Sequence, residues 1–424
     1  MPHLHVVSDL GYQEYVSFFL QDSTMINQKD SHGNIPLHLA CMKGHIEIVQ
    51  NLIENKSSID IANNEGLKPF VYACEINATA VAKVLLHHCG KWINVNEKYQ
   101  KRNNGSVLHI VCAKGFVNLV LLLLNHNAKV DLLDGSGCIP LHVANSSAVV
   151  KALLDYNANI NQVDFFEKAE INQKTKTELR PLHAACQSES IEIVKILIEN
   201  GARINSAKPC ISPLHEACRI GNESIVNFLI ESNASINHKT KDGLTPLHQA
   251  CMNDRVIVAK KLLDNKVNVN DESKYGWTAL YFSSAKGFRT IVDLLLQHGA
   301  NVNIWDEDKV SPLMAACKEN KTDVVDLLLH SKANVNHCDK DNCSSLLVAC
   351  KSGNVDLVNL LLTYGADINL VDTNMISPLH AACMNNNNTK LVLKLVESNA
   401  NVNVADKTDR HRYLNQFSMD MLTL

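Results

Sequence analysis

Six times the sequence sets a histidine three residues before a cysteine: His38/Cys41, His109/Cys112, His183/Cys186, His215/Cys218, His248/Cys251 and His380/Cys383. Imidazole and thiolate are zinc ligands, and residues at i and i+3 share a helix face, so metal binding is the first chemistry to weigh. A structural zinc site needs four convergent ligands, and each copy offers two. The competing reading is packing: the imidazole ties adjacent turns together and the small thiol fits between helices. With Cys74, Cys317 and Cys350, nine of the fourteen cysteines occupy this one position. Neighbouring copies lie a helix spacing of ~8–10 Å apart, beyond the ~7 Å between Cα atoms that a disulfide spans. The other five (Cys89, Cys138, Cys210, Cys338, Cys343) have no paired spacing, and the one candidate pair is Cys338 with Cys343, which flank a hairpin.

No other chemistry is spelled out. The chain has no Gly-x-x-x-x-Gly-Lys-Ser/Thr, Gly-x-Gly-x-x-Gly, Gly-x-Ser-x-Gly or His-Glu-x-x-His. Its carboxylates are dispersed, and nothing sets a nucleophile beside a base. The expectation is a chain without catalytic residues, metal or cofactor, and not an enzyme. A net charge of -4, from 40 basic and 44 acidic residues, lacks the positive field of a phosphate-backbone binder, so nucleic acid is not an expected partner. No apolar run approaches the ~18–20 residues that span a bilayer, so direct membrane insertion is not expected either. The first residues lack a basic and apolar signal sequence. Fourteen cysteines without such a signal point to reduced thiols and a cytoplasmic protein, with the nucleus as the alternative.

The elements that must position these residues repeat. Ile35-Pro36-Leu37-His38-Leu39-Ala40-Cys41 returns as Ser212–Cys218, Thr245–Cys251 and Ser377–Cys383. Its leucine recurs as Leu4, Leu37, Phe70, Leu108, Leu141, Leu182, Leu214, Leu247, Leu280, Leu313, Leu346 and Leu379, mostly at steps of 33 residues. Seven positions later stands Gly11, Gly44, Gly115, Gly221, Gly287 or Gly353, with Asn77, Asn320 and Asn386 as substitutes. Both residue types tolerate a left-handed backbone and so close a short first helix. A second helix follows with apolar residues at three-to-four spacing, as in Ile46, Val49, Leu52 and Ile53. It ends at Gly-Ala-Asp-Ile-Asn (365–369) and its relatives, and a polar turn such as Lys241-Asp242-Gly243 leads onward. One helix pair cannot bury both faces, so the units must stack.

Twelve such units resemble ankyrin repeats over nearly the whole chain. The resemblance implies an all-α solenoid of helix-turn-helix units with projecting β-hairpin loops. It also implies a non-catalytic scaffold or adaptor for partner proteins, bound through the concave face and the hairpin loops. The alternative is a regulatory or targeting array for an enzyme (a kinase, ubiquitin ligase or phosphatase) supplied by another chain or another domain. A monomer is expected.

Departures from the repeat locate candidate sites. Repeat five, from Leu141, is short and lacks the closing glycine, and a long connection follows it, containing Phe165 and Phe166. These phenylalanines either cover the gap or form a partner-binding finger. A smaller insertion lies near Glu97–Asn104. Trp277 and Trp305 fall in successive hairpin regions, with Tyr275 beside the first. Met252, Lys286 and Glu319 precede the first-helix ends of the same repeats. Each ring either packs on its neighbouring hairpin or, flanked by charges, serves as an interface anchor. The expected division is repeats one to five (1–162, the first an N-terminal capping repeat), an insert loop (163–181), repeats six to twelve (182–404) and a capping segment or incomplete repeat (405–424).

Overall fold

A computed structural model describes residues 3–156, 179–205, 210–384 and 389–404. Phe165, Phe166, Asn386, most of the 163–181 insert and the segment 405–424 lie outside the described residues. The described part holds 24 α-helices, two for each of twelve repeats.

Repeat seven shows how the sequence builds a pair. Ser212 is extended (φ -96°, ψ 161°) and its hydroxyl accepts the His215 N–H, capping helix Pro213–Ile220. Pro213 opens that helix, where a missing N–H costs nothing. Gly221 closes it at φ +94°, a conformation that penalises any residue with a Cβ. Asn222 then caps the second helix, Glu223–Glu231, through its side chain to the Ile225 N–H. Leu214, Ala217 and Cys218 on the first helix and Ile225, Val226 and Leu229 on the second are buried. Each large aliphatic contributes ~1.5–3 kcal/mol by leaving water, and the small Ala-Cys pair lets helices approach closely.

The chain divides into two compact units, Met1–Ile204 and Asn205–Leu424. Within the first, helices His3–Leu10, Pro36–Lys43 and Pro69–Glu75 stack in order, as do the second helices behind them. Repeat five contributes only Pro140–Val143 as its first helix, and Ala144 leaves it extended rather than left-handed. The insertion near residue 100 folds into a short antiparallel pair, Lys98–Tyr99 with Gly105–Ser106, and buries the Tyr99 ring. In the second unit Pro213–Ile220, Pro246–Met252, Ala279–Lys286, Pro312–Lys318, Ser345–Ser352 and Pro378–Met384 stack in the same manner.

The projecting loops are mostly not ladders. Among the described residues strand pairing is confined to 98–99 with 105–106 and a lone bridge between Cys338 and Ser344. A side-chain oxygen takes the ladder's place. Asp306 Oδ1 accepts the N–H groups of Asp308 (3.0 Å) and Val310 (2.8 Å), and Asp30, Asn63, Asp134, Asp339 and Asp372 repeat the arrangement. Such turns satisfy the backbone within one loop, leaving a single backbone bond to reach the next, as from Glu307 N–H to the Tyr275 carbonyl (3.1 Å).

The histidines of the repeated motif hold repeats together. The backbone N–H of Thr245 meets His248 Nδ1 at 3.1 Å, so Nδ1 is the acceptor and the proton sits on Nε2. Nε2 then donates to the Trp277 carbonyl at 3.1 Å, in the following repeat. His38, His109 and His215 bond the carbonyls of Leu67, Cys138 and Leu244 at 3.0 Å in the same way. Burial pushes the imidazoles of His38, His142 and His248 down to about 4. Burial likewise raises the neighbouring thiols, Cys317 and Cys350 to about 12. Cys338 and Cys343 are both thiols rather than halves of a disulfide. The suggested Cys338–Cys343 pair is therefore not formed: Cys343 Sγ instead accepts from Lys351 Nζ at 3.6 Å.

A second ladder is made of asparagines. Asn270, Asn303 and Asn336 accept through Oδ1 the N–H groups of Asn301, Asn334 and Asp367 at 2.7–2.8 Å. Their amide nitrogens donate to the carbonyls of Gly299, Lys332 and Gly365.

Candidate protein-interaction surface

The second unit brings the candidate aromatics onto adjacent loops. Ser273 starts the loop of repeat nine, its hydroxyl accepting the N–H groups of Tyr275 (3.3 Å) and Trp277 (3.1 Å). Gly276 turns it at φ +78°, where a Cβ would sit 2.9 Å from the Asp306 Cα. Only glycine fits there. Trp277 folds back over its own repeat. Its ring stacks on Tyr281 (5.9 Å between centroids, 15° between planes) and meets Phe282 edge-on at 5.5 Å. Nε1 donates to Asp306 Oδ2 at 3.0 Å, so the carboxylate that shapes the next loop also fixes the indole. Trp277 is half-buried, and burial raises the Tyr281 phenol beside it to about 12.

The other two rings face water. Tyr275 is 43% exposed, tilted against Trp277 at 5.0 Å, with Lys274 Nζ 5.8 Å from its centroid. Trp305 is 50% exposed and stacked on His337 (4.9 Å, 17°), whose Nε2 is hydrogen-bonded to the Lys309 carbonyl at 2.7 Å. One face of that indole is thus braced by an imidazole. Lys286 and Glu319 are exposed at the ends of their helices, and Met252 is half-buried.

Sequence reasoning passed over several residues. Asp306, which binds Trp277, lies in a ladder with Ser273, Asp339 and Asp372 at steps of 33 residues. That spacing was the available signal. Trp92, 77% exposed, is the third tryptophan and stands just past helix Thr79–Cys89. Tyr15 and Phe18 of repeat one are also open to solvent. Among the described residues no group of three or more His, Cys, Asp and Glu is placed to hold a metal ion, and no helix is long and apolar enough to cross a membrane.

The family described as "Ankyrin repeats (3 copies)" matches residues 4–98, 89–164, 165–240, 214–306 and 313–406. The chain belongs to the ankyrin repeat family. An ankyrin repeat array is a protein–protein interaction module. Among similar proteins is the human "Transient receptor potential cation channel subfamily A member 1", 28% identical over 48% of this chain and 18% of its own length. Mouse "Rabankyrin-5" is 28% identical over 38% of this chain and 14% of its own. A rice "Probable E3 ubiquitin-protein ligase XBOS32" is 28% identical over 41% of this chain and 32% of its own. The chain therefore spans a third or less of the length of these relatives. The ankyrin array is the part they share with it.

Proposed function

We propose that the chain is a non-catalytic adaptor whose recognition surface lies on repeats eight to ten, with Tyr275 and Trp305 as anchors and Met252, Lys286 and Glu319 around them. The observation that carries this reading is two large rings, 43% and 50% exposed, on loops joined by the Glu307–Tyr275 backbone bond. Rigid aromatics bury much area with few rotamers to freeze, and such anchors commonly account for ~2 kcal/mol or more of binding when truncated. Trp277 belongs to the site as the strut that holds the Tyr275 loop against Asp306. Capture from cell extract, with bound proteins identified by mass spectrometry, tests this. Tyr275→Ser with Trp305→Ser should remove the specific partners while the melting temperature stays put. An unchanged set of captured proteins overturns it.

A second reading has its own support. The stretch matched makes up 14–32% of each relative, among them a protein named as a probable ubiquitin ligase and one named as a channel. An array that targets or regulates such an activity would recover a catalytic subunit among its captured partners.

A further inference from the structure

Repeats three and four concentrate positive charge. Between Ile76 and Val130 the chain carries six lysines and one arginine against a single carboxylate, Glu97, although its totals are 40 basic and 44 acidic residues. Glu97 is taken by Lys68 at 2.8 Å, and Arg102 by Glu75 at 2.5 Å. Lys83, Lys91 and Lys129 are exposed, and none is paired with a carboxylate among the described residues. The same stretch departs from the repeat. Its second helix, Thr79–Cys89, runs 11 residues where those of repeats two and four run 9. Those two are followed by residues at positive φ, Lys56 and Asn127. Gly90 instead stays right-handed at φ -56°, and the chain coils on until the Trp92 N–H meets the Cys89 carbonyl at 2.8 Å. Trp92 is thereby carried out to 77% exposure. Trp277 is fixed by Asp306 and Trp305 lies on His337, but among the described residues no ring stacks on Trp92 and no side chain bonds its Nε1. Lys83, His87 and Lys91 line one side of the same helix at successive steps of four. Lys129 stands in the next loop: Asn96 Oδ1 accepts its N–H at 2.8 Å, and Asn96 is at most ~14 Å of chain from Trp92. Leu121, 38% exposed, holds the register of Lys83 in repeat four, and Tyr156, 42% exposed, follows the second helix of repeat five.

We propose that this edge of repeats three to five seats the array on a membrane surface rich in anionic phospholipid, with Trp92 entering the headgroup layer. Each lysine beside an anionic leaflet adds roughly five-fold to affinity. An indole favours the boundary between water and lipid, where its body is in apolar surroundings and its N–H meets oxygen. A fluid layer requires neither a matching pocket nor a braced ring, and Trp92 has neither. A folded partner is better served by a rigid anchor such as Trp305. A nucleic acid has no use for the apolar surface that Leu121 and Tyr156 add, since its affinity comes from phosphate contacts. The carboxylates of this edge, Asp131 and Asp155, are outnumbered by Lys83, Lys91, Lys129 and Lys151. The contact is peripheral, with no segment crossing the bilayer, and is screened by salt. It is independent of the surface on repeats eight to ten.

Co-sedimentation of the full chain with lipid vesicles at ~0.1 M salt tests this. The chain should bind vesicles made of equal parts phosphatidylserine and phosphatidylcholine, and leave phosphatidylcholine vesicles alone. Trp92→Ser should weaken binding several-fold, and Lys83→Gln with Lys91→Gln and Lys129→Gln by roughly 100-fold. Trp305→Ser should bind as the unaltered chain does. All these side chains are exposed, and an unchanged helical signal checks that each variant is folded. Failure of the unaltered chain to bind the anionic vesicles overturns the proposal, as does equal binding to both kinds of vesicle. A folded triple lysine variant that binds undiminished also overturns it. Soluble poly-glutamate and a single-stranded oligonucleotide serve as competitors. Displacement of the chain from vesicles by either, at equal concentration of anionic groups, would make the edge a site for a soluble polyanion and refute the membrane.

Discussion

Acid should loosen the array through histidines that carry no charge in the folded chain. His248 accepts the Thr245 N–H at Nδ1 and donates from Nε2 to the Trp277 carbonyl, so neither nitrogen has room for a second proton's partner. Burial holds its folded value at about 4, against an ordinary 6.5. Between those two values the unfolded chain binds a proton that the folded chain refuses, so stability is complete above 6.5 and is lost as pH falls toward 4. Each unit of separation is 1.36 kcal/mol. Going from pH 7 to pH 5 uncovers a little over one unit, or ~2 kcal/mol for this residue, with similar losses from His38 and His142 in the other compact unit. Urea unfolding at pH 7, 6 and 5 reads the slope directly. His248→Gln removes both bonds and should cost ~2–4 kcal/mol at pH 7. The same change should cost ~2 kcal/mol less at pH 5, because the unaltered protein has by then lost the contribution itself. A variant whose penalty is the same at pH 7 and pH 5 would show that His248 does not titrate in this window, and the reasoning would fail.

Three further outcomes follow from geometry. Gly276→Ala should lower stability by more than ~1 kcal/mol beyond Gly299→Ala, since both sit at positive φ but only the first drives a Cβ to 2.9 Å from the Asp306 backbone; equal urea midpoints would contradict this. Trp277→Phe should cost ~1–3 kcal/mol by removing the indole donor to the buried Asp306 carboxylate, whereas Trp305→Phe should stay within ~0.5 kcal/mol, a contrast read by thermal melting. Chelator should leave the helical signal and melting temperature unchanged, and a thiol reagent should modify Cys89 and Cys338 at once but Cys41 and Cys251 only after urea; prompt labelling of Cys251 would show that the core opens.

The regular parts of this fold were legible because they are local. A 33-residue step, a proline at a helix start and a glycine at its end each act within a few positions, so Leu214, Pro213 and Gly221 announce their roles. The left-handed residues of repeats six and eight were not legible. Glu189 (φ 62°) and Asp254 (φ 55°) take the place of glycine, held there by the flanking helices rather than by their own preference. The absence of strand ladders in most described hairpin loops was not legible, because an Asp or Asn that satisfies the loop internally leaves the same polar residues in the sequence as a ladder would. The site was half-legible. Sequence placed Tyr275, Trp277 and Trp305 in neighbouring loops, but whether an indole points outward depends on a carboxylate 29 positions away. Tyr99 makes the same point in the insertion near residue 100. Its burial follows from a short strand pair that no periodicity marks.

The histidine bond has a direction, and synthesis runs along it. Each of these rings reaches a carbonyl 29 residues nearer the carboxyl end, so a repeat that carries the histidine is not complete when its own last residue leaves the ribosome. At ~5–20 residues per second the wait for that acceptor is roughly 1.5 to 6 s, longer than helix formation by orders of magnitude. Through the repeats that carry the histidine, a nascent array is therefore one unit behind its own translation, with its newest imidazole hydrated and its newest apolar side bare. A pause in translation just past a repeat boundary would prolong that bare state, and a pause some thirty codons later would not.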